Sequence, residues 1–344
     1  MQNASAAILD GIAARRNTVV TNNIDSWRFP GATAIPVPPE MTAMVAEFVR
    51  ANAARIDKGA ALFADDASRE LLCDLFAFHA HGPLRVKLGT NTPRYWKAYA
   101  DARHWRTADV PESCPPFEFS AFRAAYKGHD IDVHCWLGNV VFSFIFEQYT
   151  FSRPETARIA CGEGYYVIDG GMCFGDTALG FSALAGPKGR IFGFEPIPSQ
   201  RAITTANCER NPELGSRVDI SARALADIAG RELRFSDAGA GSRAAPDGTV
   251  SATTTTIDEF VGAEALSRVD LIKMDIEGAE PAALNGAAKT IRDFRPTLAI
   301  SAYHHPSHLF ELLLQIRDIE PRYKFYLDHY TVHTEETILF AVPA

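Results

Sequence analysis

From Tyr165 onward, short apolar runs alternate with stretches whose apolar residues recur at helical spacing. That alternation predicts an α/β domain with a mostly parallel sheet covered by helices on both faces. The expected strands are Tyr165 to Asp169, Arg190 to Glu195, Val218 to Ala224, Val269 to Met274 and Thr297 to Tyr303. Helices are expected over Asp176 to Leu184, Pro198 to Glu209, Glu280 to Asp293 and Ser307 to Asp318. Glu232 to Phe235 and Thr249 to Thr256 interrupt the series as a hairpin around a Gly/Ala/Ser-rich loop. Tyr323 to His329 and Thr337 to Val342 close the chain as a second hairpin, which adds an antiparallel strand to an otherwise parallel set.

The first 150 residues lack this rhythm. Residues 1 to about 36 start polar and become rich in proline and glycine, which predicts a loose arm. Helices are expected over Pro39 to Ile56 and over Asp65 to His79, the second capped by Asp65 or Asp66 with Leu71, Leu72, Leu75 and Phe76 at helical spacing. Pro83 to Lys87 and Asp130 to Cys135 read as short extended segments. Phe142, Phe144, Phe146, Tyr149 and Phe151 crowd one apolar stretch, and aromatics so placed mostly build core. The change of pattern divides the chain into a helical or mixed region, 1–150, and an α/β domain, 151–344.

Composition narrows the function classes. Hydrophobic residues make up 47% and charged residues 22%, enough apolar side chain for a real core and too much for disorder. A formal net charge of -8 with scattered Lys and Arg supplies no basic field for a phosphate backbone, so nucleic acid is not an expected partner. The six cysteines are far apart, without a CxxC pair or a histidine at metal-ligand spacing, and read as reduced thiols. No run of about 20 apolar residues and no cleavable leader is visible, so a cytoplasmic protein without a transmembrane segment is expected.

Three motifs carry chemistry. In the first, an apolar strand ends at Asp169 and runs through Gly170, Gly171, Cys173 and Gly175 into a helix that opens with Asp176 and Thr177. Such a turn bares backbone N–H groups to a ligand's polar end. A dinucleotide fingerprint begins with glycine at the strand end, whereas here an acid stands there and favours a cationic ligand. In the second, the strand from Ile191 ends at Glu195 and Pro196, where a carboxylate can accept from both hydroxyls of a ribose. In the third, Val269 to Met274 delivers Asp275, Glu277 and Glu280 to the strand's C-terminal end, the edge that faces the crevice in open parallel sheets. Glu280 suits the start of the next helix. Asp275 and Glu277 are the site candidates there, and Ala224, at the end of its strand, joins the cofactor-side set.

Taken together these motifs resemble the FkbM family of methyltransferases. The resemblance is carried by Asp169, Gly171, Gly175 and Thr177, by Phe194-Glu195-Pro196 with Pro198, by Asn207 and Asn211, by Lys273, Asp275, Glu277, Gly278 and Glu280, and by Leu284 and Gly286. It spans about Tyr165 to His305 and implies the class I methyltransferase (Rossmann-like) sheet, seven-stranded with an antiparallel C-terminal hairpin. It also implies S-adenosyl-L-methionine as cofactor and transfer of a methyl group to a hydroxyl, on a sugar of a glycan or on a polyketide-like metabolite. Cys173 stands where the family usually has Asn. An alcohol is a weak nucleophile near neutral pH, so a base is expected at the acceptor. His304, just after the strand that starts at Thr297, is the first candidate and Asp275 the second. No metal is required, although magnesium with Asp275 as a ligand stays open. The rival readings are an NAD-dependent oxidoreductase, which the glycine turn and Glu195 also suit, and a cofactor-binding protein without turnover. Residues 1–150 are expected to serve acceptor binding or a homodimer contact, with Tyr95, Trp96, Tyr99 and Trp105 able to stack on sugars.

Overall fold

The computed structural model describes residues 3–110, 114–154, 156–236 and 241–344; residues 237–240 of the Gly/Ala/Ser-rich loop lie outside the described residues. Two compact units emerge. One takes the chain up to Lys97 and again over Ala302–Val342, with Ala344; the other is Ala98–Ser301, with Pro343. The division therefore does not coincide with the expected boundary near residue 150.

The Ala98–Ser301 unit is built on five strands that pair only in parallel: β3 (Tyr166–Gly170), β4 (Arg190–Phe194), β5 (Val218–Ser221), β6 (Leu271–Met274) and β7 (Thr297–Ser301), in the spatial order β7-β6-β3-β4-β5. All four residues of β6 and the last four of β3 are buried, as expected of a sheet covered on both faces. Helices α1 (Asp176–Ala185) and α2 (Pro198–Arg210) follow β3 and β4, close to their expected bounds. The register sets Lys273 of β6 directly opposite Asp169 of β3. A lysine and an aspartate thus face each other in an otherwise apolar pair of strands.

Among the described residues three smaller sheets complete this unit, one of them the antiparallel pair Phe151–Arg153 and Thr156–Ile159. β1 (Phe119–Tyr126) and β2 (His129–Trp136) form an antiparallel hairpin in full register from Phe119↔Trp136 to Tyr126↔His129. Its tight turn is Lys127-Gly128, both at positive φ (50° and 81°), the backbone that a two-residue hairpin loop requires. β1 was not foreseen, because its burial alternates only at the far end and its small alanines mask the period. The expected strand Val218 to Ala224 splits after Ser221. Ala224–Leu225 instead pairs in parallel with Val250–Thr255, whose other edge takes Glu232–Phe235 in the predicted antiparallel hairpin. The expected helix Glu280 to Asp293 is likewise two pieces, Glu280–Asn285 and Ala288–Phe294.

The other unit is mainly helical. Ala4–Ala14, placed in a loose arm by its sequence, is a helix with Ile8 and Ile12 buried. The helix Asp66–His81 is capped by Asp65, whose carboxylate accepts from Ser68 N at 2.9 Å. Pro83 to Lys87 is no strand, because the N–H groups of Arg85 and Val86 both turn back to Gly82 O. The strands Tyr323–His329 and Thr337–Pro343 are neighbours joined by only seven residues, Tyr330–Glu336. So short a link excludes a parallel crossover and makes them the expected hairpin.

Two buried histidines and a half-buried glutamate gather at the end of the first hairpin strand and in the connecting loop. His329 and His333 are buried, and His333 meets Phe29 and Phe78 edge-on while its Nε2 accepts from Asp25 N at 3.2 Å. Burial pulls His329 down to about 4 and lowers His79 and His333 as well, against the opposing field of Glu335. Burial would raise Glu335, but the Arg28 guanidinium 3.3 Å away wins and holds it below the usual range. Both kinds of shift act in one direction. A histidine held neutral and a carboxylate held ionised each stabilise the fold above their unfolded pKa values and lose that contribution as the pH falls. We expect stability to decline from about pH 6.5 downward, His329 alone costing roughly 2 kcal/mol at pH 5. Urea midpoints between pH 7.5 and 5 measure this, and a flat profile contradicts it.

Candidate active site

The turn after β3 is held by its neighbours. Gly171 N–H donates to Phe194 O on one side, and Asp275 N–H donates to Gly170 O on the other, both at 3.0 Å. Gly171 and Gly175 have φ of 78° and 79°, which glycine adopts without strain. Their missing side chains also have a tertiary reason: a Cβ at Gly171 would lie 1.9 Å from Asp275 O, and one at Gly175 would lie 2.8 Å from Thr204 Cγ2. These glycines let strands and helix close on one another. Cys173 sits between them with φ of 51°; its N–H donates to Glu195 Oε2 at 2.9 Å and its carbonyl accepts from Thr204 Oγ1 at 2.9 Å. Burial pushes the Cys173 thiol well up, so it stays protonated. All six cysteines are free.

Asp169 does not offer its charge to a ligand. It is fully buried, and Lys273 Nζ lies 3.0 Å from its Oδ1 while Thr177 Oγ1 donates to its Oδ2 at 2.9 Å. Lys273 Nζ also donates to the carbonyls of Gly170 (3.1 Å) and Gly171 (2.5 Å). Burial would lower the Lys273 pKa, but Asp169 and then Asp275 prevail and hold it above its ordinary value. The cation is permanent. Lys273 neutralises the acid that the sequence places beneath the turn, and Asp169 fixes the turn through Lys273 and Thr177.

Asp176 is also redirected. Its carboxylate accepts from Asn139 Nδ2 at 3.2 Å and from Ser143 Oγ, so the side chain ties the Leu137–Ile145 segment to the start of α1. Burial raises its pKa against those hydrogen bonds. Glu195, at the tip of β4, is only 4% exposed and accepts from Ile197 N at 3.0 Å and Cys173 N at 2.9 Å. Burial lifts its carboxyl to about 7, although the two amides and the field of Lys273 pull it down. Arg201 Nη1 binds the carbonyls of Glu195 and Pro196 and fixes this corner. Ala224 is buried with Ile197, Phe235 and Ala252 in an apolar cluster.

At the tip of β6, Asp275 Oδ2 accepts from Tyr149 Oη at 3.0 Å. Glu277 (φ 56°) and Gly278 (φ 96°) form the turn, and Glu280 Oε1 accepts from Ile276 N at 2.9 Å, the helix-start role expected of it. His304 lies three residues beyond β7, half-buried, with its ring centroid 4.2 Å from that of Tyr303. It belongs to the other compact unit from Asp275. His305 Nδ1 lies 2.7 Å from Ser307 Oγ just before the helix His308–Ile319.

Sequence reasoning left several residues without a role. Lys273 stood in a motif, yet a lone lysine inside Leu-Ile-Lys-Met was itself a signal, since lysine is almost never buried unpaired. Tyr149 was read as core, and Asn139 and Ser143 carried no signal at all. Tyr95 and Tyr99, considered for sugar stacking, are buried: Tyr95 Oη donates to Asp25 Oδ2 at 2.6 Å and Tyr99 packs edge-on to Phe142.

Residues 169–327 match the sequence profile of the methyltransferase FkbM domain. Residues 169–327 thus resemble an FkbM domain. Among solved structures, the methyltransferase FkbM of Methylobacillus flagellatus KT matches with a TM-score of 0.53 at 23% identity, over 86% of this chain and 60% of that one. The chain thus spans less than two thirds of that relative. Lower scores come from an O-methyltransferase of Bacillus cereus in complex with SAH (TM-score 0.37, 12% identity, 75% of this chain and 93% of that one). Fibrillarin of Aeropyrum pernix with natively bound S-adenosyl-L-methionine scores similarly (0.36, 15%, 54% and 69%). No curated protein matches significantly in sequence. The mostly parallel sheet of the FkbM domain is the class I methyltransferase sheet that the resemblance implied. Among the described residues, no helix is long and apolar enough to cross a membrane.

Proposed function

We propose that this chain is an S-adenosyl-L-methionine-dependent O-methyltransferase acting on a hydroxyl of a glycan sugar or of a polyketide-like metabolite. The observation that carries the reading is the placement of Glu195 and Asp275 at the C-terminal tips of the two strands flanking β3, with the Asp169 charge already cancelled by Lys273. A donor set of this kind fits a ligand with vicinal hydroxyls at one end and positive charge at the other. Glu195 accepts from the ribose hydroxyls, while Asp275 and Glu277 face the ammonium and sulfonium. When bound, the cofactor supplies a methyl group made electrophilic by its sulfonium. The chain's own residues align the acceptor and exclude water, which dominates such a displacement. His304 or Asp275 accepts the hydroxyl proton.

Calorimetry with S-adenosylhomocysteine and with NAD tests the reading. Binding of the first and not of NAD supports it; the reverse establishes the oxidoreductase alternative. Glu195 adds a pH signature. Only the ionised carboxylate accepts from two hydroxyls, and its pKa of about 7 means that S-adenosylhomocysteine affinity rises between pH 6 and 8. Glu195→Gln is expected to flatten that rise and weaken binding about tenfold, the loss of a hydrogen bond to a charged group.

A further inference from the structure

The FkbM domain starts at residue 169, yet a side chain from outside it reaches the acidic tip of β6. Tyr149 lies 20 residues earlier, just after the short helical segment Leu137–Ile145, and is buried. Its hydroxyl meets Asp275 Oδ2 at 3.0 Å, and its ring lies over Lys273 Nζ at 5.2 Å from the centroid. The same ammonium holds Asp169 and both glycine carbonyls. One phenol thus joins the cation beneath the glycine turn to the carboxylate at the neighbouring strand's tip. The same segment is anchored a second time, through Asn139 and Ser143 on Asp176.

We propose that Tyr149 is a positioning residue that aims the Asp275 carboxylate at the positive end of the methyl donor. The inference rests on the methyltransferase reading above. A phenol that donates one hydrogen bond to a carboxylate removes one of its rotational options, and the cation beneath the ring keeps the phenol itself in place. The donor gains most from a correctly aimed carboxylate; its demethylated product keeps the ammonium but carries no sulfonium, and so gains less.

Tyr149→Phe keeps the ring on Lys273 and removes only the hydroxyl. Affinities for S-adenosylmethionine and S-adenosylhomocysteine are measured by calorimetry in the parent, Tyr149→Phe, Asp275→Asn and the double variant, with thermal melts as a check of folding. The expected result is a loss of about tenfold for S-adenosylmethionine in Tyr149→Phe, the scale of one hydrogen bond to a charged group. The loss for S-adenosylhomocysteine should be under about threefold, and Tyr149→Phe should have almost no further effect once Asp275 is Asn. An equal loss of both ligands, or the same loss in the Asp275→Asn background, overturns the proposal and makes Tyr149 a packing residue. A parent that binds neither ligand overturns the methyltransferase reading instead.

Discussion

Lys273→Met is expected to cost the fold about 3–5 kcal/mol, the scale seen when one partner of a buried ion pair is removed. The reason is the completeness of the burial: Asp169 and Lys273 are 0% and 1% exposed, so no water can replace the lost ammonium. The carbonyls of Gly170 and Gly171 lose a donor in the same step. Charge, rather than volume, should decide the outcome, since methionine fills most of the space of the lysine stem. Adding Asp169→Asn removes the stranded anion, and the double variant is expected to regain a substantial part of the loss. Urea unfolding of the parent, both single variants and the double variant measures this coupling. A double variant no more stable than Lys273→Met alone would show that the pair is not what holds the turn.

Asn207→Ala is the second large effect. Asn207 on α2 is fully buried; its Oδ1 accepts from His134 N at 2.9 Å, and its Nδ2 donates to His134 O at 2.9 Å and Phe174 O at 2.8 Å. One turn later Asn211 repeats the device on Asp132, accepting from its N–H at 2.9 Å and donating to its carbonyl at 2.7 Å. An asparagine in the last turns of α2 and another at its C-cap, four residues on, thus meet residues i and i+2 of strand β2 and satisfy its free edge as a neighbouring strand would. Alanine at 207 leaves three backbone groups without that partner, one of them buried and two partly so, at a cost of about 3 kcal/mol. Asn211→Ala, at a less enclosed position with two such bonds, is expected to cost about half as much. Unfolding midpoints that fall equally, or shift hardly at all, contradict this account.

Much of the fold was legible along the chain. The five parallel strands, the two helices after β3 and β4 and the closing hairpin all lie within a few residues of their expected bounds, because a buried parallel strand and an amphipathic helix each leave a local period. The errors fall where local pattern is not the deciding influence. β1 was missed because its inward face mixes alanine with aromatics. The expected strand Val218 to Ala224 was cut at Ser221, because Ala224–Leu225 found a better partner in Thr254–Thr255. In the site, the acids at the tips of β4 and β6 were identified from strand ends alone. The partners of Asp169 and Asp176 were not legible, since a carboxylate's neighbours cannot be read from its position in a motif.

The amino-acid order by itself determined the succession of strands and helices, the glycine turn after β3 and the arrival of a carboxylate at the end of each central strand. These depend on residues within one element or its immediate flank. Only the tertiary structure decided which charges remain for a ligand. Lys273 reaches Asp169 across more than a hundred residues of chain through the register of two strands, and Tyr149 reaches Asp275 from outside the matched domain. Pairing at such separations is set by how whole elements pack, and a buried charge takes whichever opposite charge that packing brings within reach.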